Sequence, residues 1–383
     1  MRTPYSLSFM VAALTAGALC ALIHPHLFVH WLSHLQWRVA VFAVMVGALF
    51  SGTAAKAQTL TLSTSGGITI GGAGAAFTGT FGNMNGLGAG AVPAGTTVYP
   101  MSNGTLYYST FNMRVSALGG AGRTGWVNAY VSTNPHTAAL VGYGCPYPQA
   151  CTASGNYVAL GTSTATATNI IASPGIANNT TVTVGVGIFL PDNDGASAYT
   201  GTSNVVITFK LTNFNTGATR NVTLTLTTTV QTAVQLKLGT ATGGATIGAG
   251  GNPPDYTLSF GNVNALGIGM GAGFNTTPAA GGIIYYTPYL LNPAFSGFTS
   301  TTSTIKVSLS TNFAHPAVLT LEDSAVSGGP YTAITAAAMT ITSTAADRSS
   351  ITRYLGLFIS NVNGATSYRG ADSATLTFTF TVP

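Results

Sequence analysis

Few residues in this chain have the chemistry for catalysis, and those few stand apart from one another. His136 and His315 each follow a Ser-Thr-Asn tripeptide, beginning at Ser132 and Ser310. Neither has an Asp, a Glu or a second His close by in sequence. Each is therefore expected to be a turn histidine bonded to backbone, not a general base. Glu322 is the only glutamate, so carboxylate pairs of the glycosidase kind are scarce. No Gly-x-Ser-x-Gly nucleophile elbow is present. Asp192-Asn193-Asp194-Gly195 opens like a calcium loop but lacks the later oxygens and the distal bidentate glutamate. Its counterpart further on, Asn361-Val362-Asn363-Gly364, carries no charge, so both are expected to be Asx-type turns and no metal site is predicted. The glycine-rich runs 71–74 and 267–273 lack the lysine of a phosphate loop. The reading is a non-enzyme with no cofactor.

Two cysteines do invite chemistry. Cys145 and Cys151 bracket Pro-Tyr-Pro-Gln-Ala, a spacing too wide for a redox Cys-x-x-Cys pair and two ligands short of a metal site. In an exported protein they are expected to form a disulfide, contributing about 2 kcal/mol by restricting the unfolded chain. Export is itself predicted. Arg38, the apolar run Val39 to Phe50 and the Ala55-Lys56-Ala57 cleavage signature follow the order of a secretory leader, here drawn over 1–57. An earlier apolar run, Phe9 to Ile23, reads as an extension of that leader, as sequence before a true start further in, or as a retained anchor; no membrane span is expected in the mature chain.

Charged residues make up 5% of the sequence, against roughly 25% in ordinary soluble proteins, while hydrophobic residues reach 46%. Such a chain can build a core, and its surface must be hydroxyl, amide and glycine. Removing Arg2, Arg38 and Lys56 with the leader leaves nine basic against seven acidic residues, which is no footprint for nucleic acid. A nearly uncharged surface suits a cell-surface or polymeric protein better than a dispersed cytosolic one.

The elements that must position these residues occur twice. Phe189 to Leu211 aligns without a gap to Phe358 to Phe380, and Phe81-Gly-Asn matches Phe260-Gly-Asn. The spacing is 179 residues at Phe81/Phe260 but 169 at Phe189/Phe358, so the first copy holds ten extra residues, and the cysteine loop lies among them. Alternating β-branched strands are predicted at 59–63, 127–131, 181–189, 205–211, 222–230, 304–309, 318–321, 354–359 and 374–382. Ala333 to Thr342 is equally compatible with a helical turn or a strand. The fold class is all-β: two tandem homologous immunoglobulin-like β-sandwiches, over 58–231 and 232–383, behind the signal segment. Val222 to Val230 either finishes the first unit or starts the second.

Loops on rigid sandwiches are where binding tends to sit, which makes Tyr143 and Tyr147 the candidate contact loop. The recurring pairs Tyr107-Tyr108 and Tyr285-Tyr286 fit core packing or stacking on a sugar. Edge strands are natural places for a partner strand. The candidates are Thr59, Leu60 and Leu62 at the mature N-terminus, and Leu376, Phe378 and Phe380 near the C-terminus.

Two motifs resemble a known family. Leu258-Ser-Phe260-Gly261-Asn262 is similar to the apolar-x-Phe-Gly entry of secreted pilin-like coat proteins of the spore-coat-U type, which include subunits of archaic chaperone–usher pili. Tyr368 with Asp372 to Phe380 resembles that family's closing alternating strand. The resemblance implies an immunoglobulin-like sandwich incomplete in one strand and completed by a neighbour, and two copies resemble the layout of a two-domain tip adhesin. The expected role is an exported structural or adhesive protein of a surface fibre. Its expected partners are copies of itself or other fibre subunits, with a periplasmic chaperone. The alternative is a secreted carbohydrate-binding module that takes a glycan through its Tyr-rich loops.

Overall fold

The structure is a computed structural model, and it describes residues 57–101, 103–192, 194–249, 255–362 and 368–383. The leader, except for Ala57, lies outside these residues. Residues 58–383 form one compact unit. None of the described helices is long and apolar enough to cross a membrane.

The first half is a two-sheet sandwich. One sheet runs β1 (Thr59–Thr64), β5 (Gly104–Ser116), β10 (Thr180–Pro191), β7 (Val141–Cys145) and β8 (Val158–Ala159), with β4 (Thr97–Met101) also paired to β5. The other runs β2 (Gly71–Ala73), β3 (Ala76–Met84), β12 (Thr219–Val230), β11 (Gly201–Asn213), β6 (Thr124–Thr133) and β9 (Thr168–Ala177). Alternating apolar residues from both sheets meet in one core, including Leu60, Phe81, Phe111, Phe209 and Leu224.

The second half repeats one sheet in full. It runs β13 (Ala233–Thr240), β17 (Gly282–Ser296), β22 (Ile351–Ser360), β19 (Leu319–Ser324) and β20 (Thr332–Ala333), with β16 (Asn275–Ala279) on β17. Its facing sheet has only β21 (Met339–Ala346), β18 (Thr302–Thr311) and β23 (Thr375–Thr381). A small hairpin, β14 (Gly248–Ala249) with β15 (Tyr256–Thr257), stands where β2 and β3 stand in the first copy.

The all-β reading and the two-sandwich architecture hold. The segment 222–230, left open by the sequence, is the heart of the first sandwich: β12 pairs antiparallel with β11 and parallel with β3. The ambiguous 333–342 segment resolves toward strand, since β21 begins at Met339. Two long strands, β5 and β17, carry no alternation strong enough to be predicted. The second contains Pro288 and Pro293, which argue against a paired strand, and β5 interrupts its apolar alternation with Ser109 and Thr110.

The insertion in the first copy folds over the outer face of its sheet. Cys145 and Cys151 are disulfide-bonded, with Cα atoms 5.7 Å apart. Together with Leu106, Tyr108 and Tyr157 they make a satellite cluster. The Tyr157 hydroxyl bonds the Ser109 and Cys151 carbonyls, and burial raises its pKa. In the second copy Ser324 takes the register position of Cys145. There the corner is held by a buried polar group: Tyr289 donates to Asp323 Oδ1 at 3.0 Å, and Arg353 Nε donates to Oδ2 at 3.1 Å.

The two copies can be compared residue by residue. In β11, Ile207, Phe209 and Leu211 are at most 1% exposed. Their aligned partners in β23, Leu376, Phe378 and Phe380, are only half-buried. Phe209→Ala is expected to cost about 3–5 kcal/mol in urea unfolding of the full chain. Phe378→Ala should cost clearly less, because a half-exposed ring has less apolar area to lose. Equal losses would mean that the second groove is already covered in solution.

Candidate functional site

The site is a sheet edge with an apolar groove behind it. In the first sandwich β12 lies between β11 and β3 and turns Val222, Leu224, Leu226 and Val230 inward. It also packs across the sandwich against β1. These contacts hold Leu60 and Leu62 on one side, and Phe81 and Met84 on the other, at 3% exposure or less.

Among the described residues of the second sandwich, no strand pairs with the outer edge of β23. Every residue that β12 would have covered is left half-exposed. The set comprises Leu236 and Leu238 on β13, Phe260 and Val263 after β15, and Leu376, Phe378 and Phe380 on β23. The missing ladder also explains why β15 stops at Thr257, whereas β3 continues to Met84. A strand persists only while a neighbour satisfies its backbone groups, and β3 has β12 alongside.

The sequence candidates separate on this geometry. Leu376, Phe378 and Phe380 line the groove. Thr59, Leu60 and Leu62 lie on β1, an outer strand of its sheet, but the two leucines are enclosed and leave no groove. Leu236, Leu238 and Val263 were not singled out in the sequence, and Phe260 stood there only as part of the repeated Phe-Gly-Asn motif. The signal that finds them is alignment of each to the buried core of the first copy.

Tyr143 is half-buried and packs against Phe189 at 6.1 Å between ring centroids. Tyr147 is 40% exposed, in the disulfide loop. Neither approaches the groove residues by any aromatic contact among the described residues. Tyr107 and Tyr285 are buried, and each hydroxyl clamps an asparagine loop, Asn85 and Asn264 respectively.

The acids of the calcium-like turn do something else. Asp192 pairs with Arg348 from the second sandwich, and Asp194 Oδ1 accepts from Phe298 N at 3.1 Å. Gly195 N donates to Phe298 O at 2.8 Å. Asp192, Asp194 and Asp347 thus gather at the seam between the two sandwiches. Burial, with the nearby Asp347 charge, raises the Asp194 pKa above its ordinary value, against the lowering by the Phe298 and Gly297 amides. Asp192 and Asp194 thus belong to an inter-sandwich joint; residue 193 and the 363–364 end of the second-copy turn lie outside the described residues.

Both histidines sit in turns, and both stack on a tyrosine: His136 on Tyr199 at 3.7 Å and His315 on Tyr368 at 3.6 Å. The ring of His315 meets a carboxylate that is distant in sequence. Its Nδ1 lies 3.0 Å from Asp372 Oδ2, brought there from 57 residues away, and the ring stays 43% exposed. Asp372 also accepts from the Ala314, His315 and Ser373 amides. The pair fastens the β18–β19 connection to the residues that lead into β23. Among the described residues no serine hydroxyl bonds the His315 ring.

No family model matches the chain, and no curated protein matches it. Solved structures do. A chain of the CsuC–CsuE chaperone–tip adhesion subunit pre-assembly complex from archaic chaperone–usher Csu pili of Acinetobacter baumannii is similar at 11% identity and a TM-score of 0.27; the match covers 84% of this chain and 99% of that one. The CupB6 tip adhesin of Pseudomonas aeruginosa matches at 9% identity and TM-score 0.27, over 85% of this chain and 94% of its own. CfaE, the adhesive subunit of CFA/I fimbria of enterotoxigenic Escherichia coli, matches at 11% and 0.20, over 84% and 87%. The similar structures named here are pilus and fimbrial adhesins. At these scores the functional reading has to come from the uncovered edge itself.

The Asp372 clasp gives a pH prediction. Burial pushes its pKa up, but hydrogen bonds from Ala314 N, the His315 ring, Ser373 N and His315 N outweigh that and hold it below the ordinary value. A carboxylate with a depressed folded pKa contributes stability above its unfolded value, near pH 4, and loses it as the pH falls through the lower folded one. The Ala314 and Ser373 amide NMR shifts should therefore show a titration step below about pH 4. Asp372→Asn should abolish the step; its survival would place the titration elsewhere.

Proposed function

We propose that the chain is an exported cell-surface protein, a subunit or tip of an adhesive fibre, which joins its neighbour by accepting a β-strand at the edge of β23. One observation carries this reading. The same three core positions are sealed by β12 in the first sandwich and stand half-exposed, with an unpaired edge, in the second.

The first copy supplies the template for the strand that would fit. It runs antiparallel to β23 and parallel to 256–263, with apolar residues at alternate positions as in Val222, Leu224 and Leu226. Each such side chain contributes about 1.5–3 kcal/mol when fully buried, before the costs of association. The body carries few charges to guard the edge against wrong pairing, so a periplasmic chaperone strand is the natural cover during export. The low charge and the Thr-rich faces suit a place in an extracellular polymer.

Two experiments bear on this. A synthetic peptide with the sequence of Thr219–Val230 should slow amide exchange across Leu376–Phe380 and raise the melting temperature of the full chain. A peptide carrying Leu224→Asp and Leu226→Asp should do neither. If both peptides are inert, the edge does not accept a strand of this pattern. Immunogold labelling of producing cells should place gold on fibres or at fibre ends, and Phe378→Asp should remove it. Label that stays diffuse with the unaltered chain would overturn the fibre role.

A further inference from the structure

The first sandwich holds the second at one pole, and that pole is built again, uncovered, on the second. In the first copy the pole is a loop folded around Asn85. Its Nδ2 donates to Ala89 O at 2.8 Å, its Oδ1 accepts from Ala89 N at 3.0 Å, and the Tyr107 hydroxyl fixes its backbone. The second sandwich sits directly on this loop: Gly86 is so close to Ser296 that a Cβ would overlap its Oγ. In the second copy Asn264 makes the same clamp, with Nδ2 to Ile268 O at 2.8 Å and Ile268 N to Oδ1 at 3.2 Å, and Tyr285 fixes its backbone.

The substitutions between the two loops run in one direction. Ala89 becomes Ile268 and Ala91 becomes Met270, while Leu87 is matched by Leu266. Asp192 of the polar seam is matched by Asn361. Leu266, Ile268 and Met270 are 80%, 64% and 47% exposed, an apolar patch on a loop whose conformation is held by internal hydrogen bonds.

The path of the chain says what would cover them. β12 ends at Val230 beside Met84, Gln231 N bonds Met84 O, and β13 of the second sandwich starts at Ala233. A strand that fills the first groove therefore delivers the sandwich behind it onto the Asn85 loop. A strand seated the same way against β23 would leave the groove beside Val263, the register partner of Met84, and bring its own sandwich onto the Leu266–Met270 loop.

We infer that Leu266, Ile268 and Met270 are the seat for the base of the neighbouring fibre subunit, the same subunit whose strand fills the β23 edge. This rests on the strand-addition reading and deepens it. The incoming strand precedes its sandwich in sequence and is joined to it by a short link, and the contact it leads to is apolar where the internal seam is ionic. Ala265 stands where Gly86 does in the first copy, so the neighbour seats slightly further out than the second sandwich does on the first.

The test uses a photo-crosslinking amino acid, p-benzoylphenylalanine, replacing Ile268 or Thr379 one at a time in the full chain in producing cells. Val326, 57% exposed on the same sandwich, is the control position. Positions 268 and 379 are expected to capture one and the same subunit, well above the yield at 326. Position 379 should map to an alternating extended segment, and position 268 to the base loops of the sandwich that follows it. Capture at 379 with silence at 268, or with a lipid or polysaccharide adduct there, would overturn the seat and leave strand addition standing. Capture of a subunit at 268 with silence at 379 would overturn strand addition, and with it the shared-neighbour assignment. Silence at both positions would overturn both.

Discussion

One strand decides whether a copy of this fold is closed. β12 supplies backbone partners to β11 and β3, and its inward residues fill the space between them and β1. Its effect extends well beyond its own length. β3 remains a strand through Met84 only because β12 is beside it, and Leu60 on the opposite sheet is enclosed because β12 faces it. The second copy shows the same architecture without that strand: a short β15, and core-type residues at half burial from three separate elements. The difference between the copies at this edge follows from one ladder being made or unmade.

The open groove would be a hazard in most proteins. Exposed edges are usually guarded by charge, by proline or by a covering loop. The edge strand β23, Thr-Leu-Thr-Phe-Thr-Phe-Thr, has none of these. It alternates small hydroxyls with large apolar residues, which is what a partner strand needs: a flat hydrogen-bonding edge and spaced pockets behind it. The Asp372–His315 pair at its entry fixes where the strand begins without blocking it. Polar groups elsewhere serve joints and corners. Asp192 and Asp194 bind the sandwiches together, and Asp323 with Arg353 and Tyr289 ties β19, β22 and β17 together inside the second sandwich. With so few charges in the chain, most of the acids have been drawn into structural contacts.

Much of this was legible before any coordinates. The all-β class, the duplication, the disulfide and the strands around residues 205–211 and 374–382 follow from alternation, spacing and composition, which are local properties. The alignment of Ile207, Phe209 and Leu211 with Leu376, Phe378 and Phe380 was also present in the sequence, and the second trio stood as an edge candidate for its place in a Thr-rich strand of low charge. What alternation does not carry is the identity of a strand's neighbours. Leu60 and Leu376 look alike as patterns, yet one is enclosed and the other is not.

The sequence by itself therefore determined the kind of elements, their repetition and the scarcity of catalytic groups, because these depend on side-chain period and residue type along the chain. Only the tertiary structure decided that Thr219–Val230 closes the first sandwich and that no described strand does so for the second. It also brought His315 to Asp372 and placed Asp192 against Arg348 across the seam. Those outcomes depend on pairing between segments distant in sequence. A hydrogen-bonding edge carries no mark, in the residues that form it, of whether another segment will arrive to satisfy it.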